Sequence, residues 1–152
     1  MQTLYKLTDQ QMQTYGGFQW TLSEKQTASG GGELCSSAWL HAYTSPLLAV
    51  LLNPIHASFE DPRLFRCRGV VGKTDHGLKV GCVSLTLIEE LPIPAITLTQ
   101  RVAFGVLCAK KVCTSESWTA WANAWLSGKD RSVRAAEAAW AEAEAAWAAA
   151  AA

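Results

Sequence analysis

Apolar and polar residues alternate with a period of two along three stretches, Leu4 to Leu7, Arg63 to Val71 and Lys79 to Leu91. That period predicts half-buried β-strands, because successive strand side chains point to opposite faces. In the second stretch Leu64, Arg66 and Arg68 share one side and Phe65, Cys67 and Gly69 the other. Asp75-His76-Gly77 lies between the second and third stretches and predicts an antiparallel hairpin. Phe18, Trp20 and Leu22 also alternate and predict a further strand with all three on one face. Thr8-Asp9 predicts a cap for one helical turn over Gln10 to Gln13, ended by Gly16-Gly17. Thr44-Ser45-Pro46 is a helix start and predicts a short buried helix over Leu47 to Leu52. Asn53-Pro54 predicts its end, since proline biases the preceding residue away from helix.

The period changes after Pro92-Ile93-Pro94, which reads as an extended connector. Thr97 and Gln100 stand at capping-box spacing, with Val102, Val106, Ala109 and Cys113 following at helical intervals. Ser115 or Thr114 caps a second helix that carries Trp118, Trp121, Ala122 and Trp125 on one face and stops at Gly128. Those three tryptophans read as core. The alanine-rich segment that starts at Asp130 or Ser132 predicts a third helix, alanine being the best helix former. Val133, Trp140 and Trp147 recur every seven residues in it, with Ala136 and Ala143 between, which predicts a seam for self-association or partner docking. The expected class is α+β: a small antiparallel sheet (residues 4–91) covered by C-terminal helices and ending in an Ala-rich helix. Its expected organisation is a β-rich domain with one short helix over 1–91, two packed helices over 92–128 and a helical tail over 129–152.

Composition narrows the function classes. Thirteen basic and thirteen acidic residues cancel, so sequence-independent nucleic-acid binding is disfavoured. Arg63, Arg66 and Arg68 read as a solvated strand face. No apolar run approaches the ~20 residues that span a bilayer, and Met1 to Lys6 lacks the pattern of a secretory leader. Five cysteines without a C-x-x-C pair suit reduced thiols and a cytoplasmic location, with no metal site and no cofactor expected.

Candidate chemistry concentrates between Gly32 and Ala57, where Trp39, His41 and Tyr43 alternate and His56 follows the apolar run. With Trp20 these residues form the expected wall of a ligand pocket, since aromatic rings stack on nucleobases whatever their sequence. No catalytic set assembles. Cys35 near His41 lacks a glycine-rich nucleophile turn, and Glu89 and Glu90 adjoin on a strand and so face opposite ways.

Leu7-Thr8, Gly17-Phe18-Gln19-Trp20, Gly32-Glu33-Leu34-Cys35, Trp39-Leu40-His41-Ala42, Pro46-Leu47, and Arg63-Leu64-Phe65 through Ile88-Glu89-Glu90-Leu91 resemble a family of small, functionally unassigned phage and bacterial proteins. The resemblance covers about residues 4–91. It departs at Ala38 and Trp39, where a glycine and another bulky residue are usual, and at Tyr43, where a second cysteine is frequent. It implies a phage-encoded accessory protein that acts by protein binding, as an inhibitor of a host anti-phage defence such as an anti-CRISPR. Its partner would be a host protein, or a second copy met through the C-terminal helix. Two other readings stand beside it: a nucleotide-binding, signal-sequestering module built on the Trp/His/Tyr cluster, and an ADP-ribosyltransferase-like enzyme.

Overall fold

A computed structural model describes the backbone of residues 1–150 and the side chains of residues 1–141, and it divides into two compact units, Met1–Ala95 and Ile96–Ala152. Its class is the expected α+β, with an antiparallel sheet in the first unit and helices at the C-terminal end.

The first unit runs β1 (Gln2–Thr8), β2 (Gln13–Thr14), β3 (Phe18–Gln19), β4 (Lys25–Thr27), β5 (Leu40–Ala42), α1 (Pro46–His56), β6 (Arg63–Asp75) and β7 (Lys79–Leu91). The predicted hairpin is β6–β7, turned where Leu78 N–H donates to Asp75 O at 2.7 Å. Gly77 takes φ 80° in that turn, a left-handed conformation that suits glycine. Register shifts at Arg66/Cys67, Val70/Val71 and Val71/Lys73 bend the pair, as bulges do. β1 pairs with the free side of β6, while β4 and β5 share the far edge of β7. Tyr5 and Tyr43 then exchange two backbone hydrogen bonds of 2.8 Å, joining β5 back to β1. Backbone pairing therefore closes into a ring.

The residues inside that ring follow strand alternation except along β7, where the register shift at Val70/Val71 switches the inward face from Val80 and Cys82 to Leu85 and Leu87. Leu4, Leu40, Ala42, Phe65, Cys67, Val80, Cys82, Leu85 and Leu87 form one buried cluster with Trp20. Each large side chain buried this way contributes roughly 1.5–3 kcal/mol. The arginine strip is largely paired: Arg63 with Glu90 and Arg66 with Glu89.

Three local expectations are corrected. Gln10 to Gln13 is a turn leading into β2, because Asp9 Oδ1 accepts from Gln11 N and Gln13 N at 3.0 and 2.7 Å and Met12 takes φ 60°. Of Phe18, Trp20 and Leu22, only Trp20 is buried, since β3 stops at Gln19. Helix α1 starts as predicted, with Ser45 Oγ accepting from Leu47 N and Pro46 at the first turn, but it continues through Pro54 to His56. Pro54 has no N–H to give to the carbonyl four residues back, so the last turn forgoes one backbone bond and depends on contacts from beyond the helix. Asn53 closes that end, its side chain donating to Phe59 O at 2.8 Å and accepting from Phe59 N at 3.1 Å.

The second unit holds α2 (Leu98–Ala109), α3 (Glu116–Ser127) and α4 (Val133–Ala150). The Thr97–Gln100 capping box forms, Ser115 caps α3, and Gly128 ends it at φ 79°. Val106, Ala122 and Trp125 are its core, with Trp118 and Trp121 packed against them, as expected. Helix α4 lies on α3 through its alanines: Ala139 is buried, and Ala135 and Ala138 flank it across a shallow groove from Ala120 and Trp121. Val133 and Trp140 face outward. The side chains of Ala143 and Trp147 lie outside the described residues. No described helix is long and apolar enough to cross a membrane.

Candidate functional site

The ring of strands opens at one place. Tyr5 and Tyr43 make a hydrogen-bonded pair, and a continued antiparallel ladder would next set Leu7 N–H on His41 O. Instead Lys6 Nζ donates to His41 O at 2.8 Å, and β1 and β5 part. A cleft of about 890 Å³ fills this seam. Trp20, Trp39, His41, Tyr43 and His56 all line it, so the five ligand-pocket candidates come together. The other walls come from the loops around Tyr15, Cys35 and Phe59 and from the start of β7 at Lys79.

The aromatic groups are fixed by packing. Trp20 caps the buried cluster, donating Nε1–H to Thr14 Oγ1 at 3.0 Å. Trp39 is buried against backbone: a Cβ at Gly72 would meet its Cζ3 at 2.6 Å, and a Cβ at Gly81 would meet its Cγ and Cδ2 at 2.9 Å. Two strand glycines thus make the bed on which the indole lies. Trp39 Nε1 is buried without a hydrogen-bond partner, an orphan donor beside the cleft.

The two histidines have different tautomeric constraints. His41 Nε2 contacts the Leu34 carbonyl, which only accepts, so the proton sits on Nε2 and Nδ1 is left with its lone pair. Burial holds the His41 pKa below its usual value, with Lys79 and Lys6 lowering it further against that carbonyl bond. His56 Nδ1 lies 2.9 Å from Tyr43 Oη, with the rings stacked 5.9 Å apart. Burial raises the Tyr43 phenol to about 12 and lowers the His56 imidazole, which favours a protonated phenol donating to a neutral ring. The unexpected last turn of α1 is what carries His56 to this contact.

Two lysines were not among the residues expected here. Lys6 is only 7% exposed, with Nζ 4.7 Å from the centroid of the Trp20 ring, and burial drops its pKa to about 8 while the neighbouring Cys67 and Cys82 thiols oppose the drop. Lys79, equally buried, donates to Cys35 Sγ at 3.1 Å. No carboxylate among the described residues pairs with either, and none lines the cleft. The sequence did hold a signal for Lys6. It shares the parity of Leu4 and Thr8 in the first strand pattern, so it sits at an inward position occupied by a charge.

The arrangement offers positive charge and flat aromatic walls, with no carboxylate in the lining; the acid nearest Lys79 along the strands is Asp75, its partner across the hairpin. Among the described residues no three His, Cys, Asp or Glu side chains gather to hold a metal ion. All five cysteines are free thiols. No protein-family model, curated protein or solved structure matches the chain.

Proposed function

We propose that the first unit is a binding module for a small anionic ligand with a flat ring, a nucleotide being the type that suits it best. One observation carries the reading. Lys6 and Lys79 are buried in the wall of a single cleft whose lining holds no carboxylate, and Asp75, opposite Lys79 across the β6–β7 hairpin, makes no ion pair with it. Burying an unpaired ammonium is costly, and an anion entering the cleft would offset that cost for both. The Tyr43–His56 stack adds a flat wall. The ADP-ribosyltransferase reading gains nothing from this cleft, whose lining includes no glutamate.

Thermal denaturation against nucleotides, cyclic nucleotides and NAD tests the proposal. A ligand at a hundred times its Kd adds about 2.7 kcal/mol, a shift of several degrees that Lys79→Met and His41→Ala should remove. A flat panel across all these anions sinks it.

A protein-binding accessory role, in the manner of a phage inhibitor of host defence, is the second reading. It is supported by Val133 and Trp140, 72% and 69% exposed on α4. Affinity capture from an expressing host, repeated with Trp140→Ser, tests it: a partner retained equally by both proteins counts against the α4 surface.

A further inference from the structure

Lys6 has the surroundings of a reactive amine as well as those of an anion ligand. Its stem belongs to a strand locked on both sides, by β6 along its length and by β5 at Tyr43. Its Nζ sits between the Trp20 ring, the His41 carbonyl and the Cys67 and Cys82 thiols. Those thiols are themselves held protonated, raised by burial to about 12 and 11. Burial outweighs the groups that favour the charged form, the Trp20 ring, the His41 carbonyl and the two sulfurs, and no carboxylate pairs with the amine, which leaves the neutral, nucleophilic form accessible near neutral pH. The hydrogen bond to His41 O engages one N–H and fixes the direction of the nitrogen. Lys79, the second buried amine of the same cleft, is committed to the Cys35 sulfur.

We propose that Lys6 Nζ forms an imine with the carbonyl carbon of a small anionic aldehyde or ketone drawn into the cleft by Lys79. The step balances without an oxidant. The nitrogen lone pair forms the N–C bond as the carbonyl π pair moves to oxygen. The two amine protons pass to that oxygen through cleft water, the C–O bond breaks, and water departs, leaving C=N. The net change is amine plus carbonyl to imine plus water. The inference rests on the anion-binding reading of the same cleft and names a narrower ligand class within it.

The test is reductive trapping on the full chain, with the modified lysines mapped by peptide mass spectrometry. Glyoxylate with sodium cyanoborohydride is the anionic probe, propanal is the uncharged one, and the seven lysines of the chain compete in the same tube. A pKa of about 8 instead of 10.5 makes the neutral amine about 300-fold more abundant at pH 7. Allowing for its lower intrinsic nucleophilicity, glyoxylate should label Lys6 at least about tenfold faster than exposed Lys25. Lys79→Met should cut labelling by glyoxylate and not by propanal. Labelling of Lys6 no faster than Lys25 with both probes overturns the proposal, and because it is read on the wild-type chain it does not depend on any variant folding. The two readings fail separately. Nucleotides that shift the melting temperature while Lys6 stays unlabelled leave anion binding standing and remove the imine. Rapid labelling of Lys6 with a flat nucleotide panel does the reverse.

Discussion

Trp39 lies across Gly81, its indole so close that a single added carbon would stand 2.9 Å from the ring and 2.7 Å from Leu34 Cδ1. The same indole covers Gly72 on the neighbouring strand, again within 2.9 Å of where a Cβ would be. The back of the cleft is therefore defined by two absent side chains as much as by one present ring. Because Gly81 is also the backbone partner of His41 in the β5–β7 ladder, the bed of Trp39 and the position of His41 are set by one residue.

Gly81→Ala should consequently disturb the site more than a one-carbon change ordinarily would. Overpacking of this kind typically costs about 1–3 kcal/mol, and the indole must tilt into the cleft to relieve it. The expected result is a lower denaturant midpoint together with weaker ligand-induced stabilisation. A variant that melts and binds like the wild type would show that the ring is not held against the strand.

The pH dependence of stability should have two rising steps. His41 and His56 are held below the ordinary imidazole value of 6.5 by burial, so the unfolded chain takes up protons first as pH falls. Their contribution is complete above that value and is lost as pH drops below it. Lys6, depressed from 10.5 to about 8 by burial, costs stability while charged, and that cost fades as pH rises from about 8 towards 10.5. Cys67 and Cys82 oppose it from their ordinary 9 upward, since burial keeps them protonated in the fold while the unfolded thiols ionise. Stability should climb from pH 5 to 7, climb again between 8 and 9, and turn over above that. In Lys6→Met the second climb should vanish and neutral-pH stability should rise by up to about 3 kcal/mol, less the lost bond to His41. Urea titrations at several pH values read both effects, and an unchanged profile in the variant would show that Lys6 is not the group responsible.

Much of this arrangement is legible in the sequence. The hairpin, the Ser45 and Thr97 caps, the tryptophan core of α3 and the approach of Trp39, His41 and Tyr43 follow from periodicity and capping chemistry, which act within a few residues. What escaped depends on contacts distant in sequence. Pro54 marks a helix end by local rules, yet Asn53 reaches six residues on to Phe59 and holds another turn in place. Cys35 and Lys79 meet across 44 positions, and the glycine bed of Trp39 needs β6 and β7 side by side. Trp140 is a separate case: the heptad count sets it on one seam with Val133, both are exposed, and α4 meets α3 through the smaller alanine face.

Asn53→Ala should cut the link that lets α1 outlast its proline. Two side-chain hydrogen bonds to Phe59 disappear, each worth about 0.5–1.5 kcal/mol. The last turn should fray and take His56 away from Tyr43. The expected signature is a shift of the His56 ring resonances, by NMR, towards those of an imidazole without a stacked partner, with its pKa rising. If the His56 titration is unchanged, Asn53 does not hold that turn.

The two faces of α4 make opposite predictions at adjacent residues. Ala139 is 5% exposed against α3, so Ala139→Leu adds three carbons where backbones approach closely and should cost about 1–3 kcal/mol. Trp140 is 69% exposed, and Trp140→Ala should change the melting temperature of the isolated protein little, within about 0.5 kcal/mol for a surface site. What Trp140→Ala should change, if the outer face holds a second copy, is the concentration dependence of apparent mass by light scattering. Val133, also outward and seven residues earlier, should behave the same way on substitution by serine. A mass that stays monomeric at every concentration in the wild type removes self-association through this face, and a strongly destabilised Trp140→Ala would mean that the tryptophan packs inward after all.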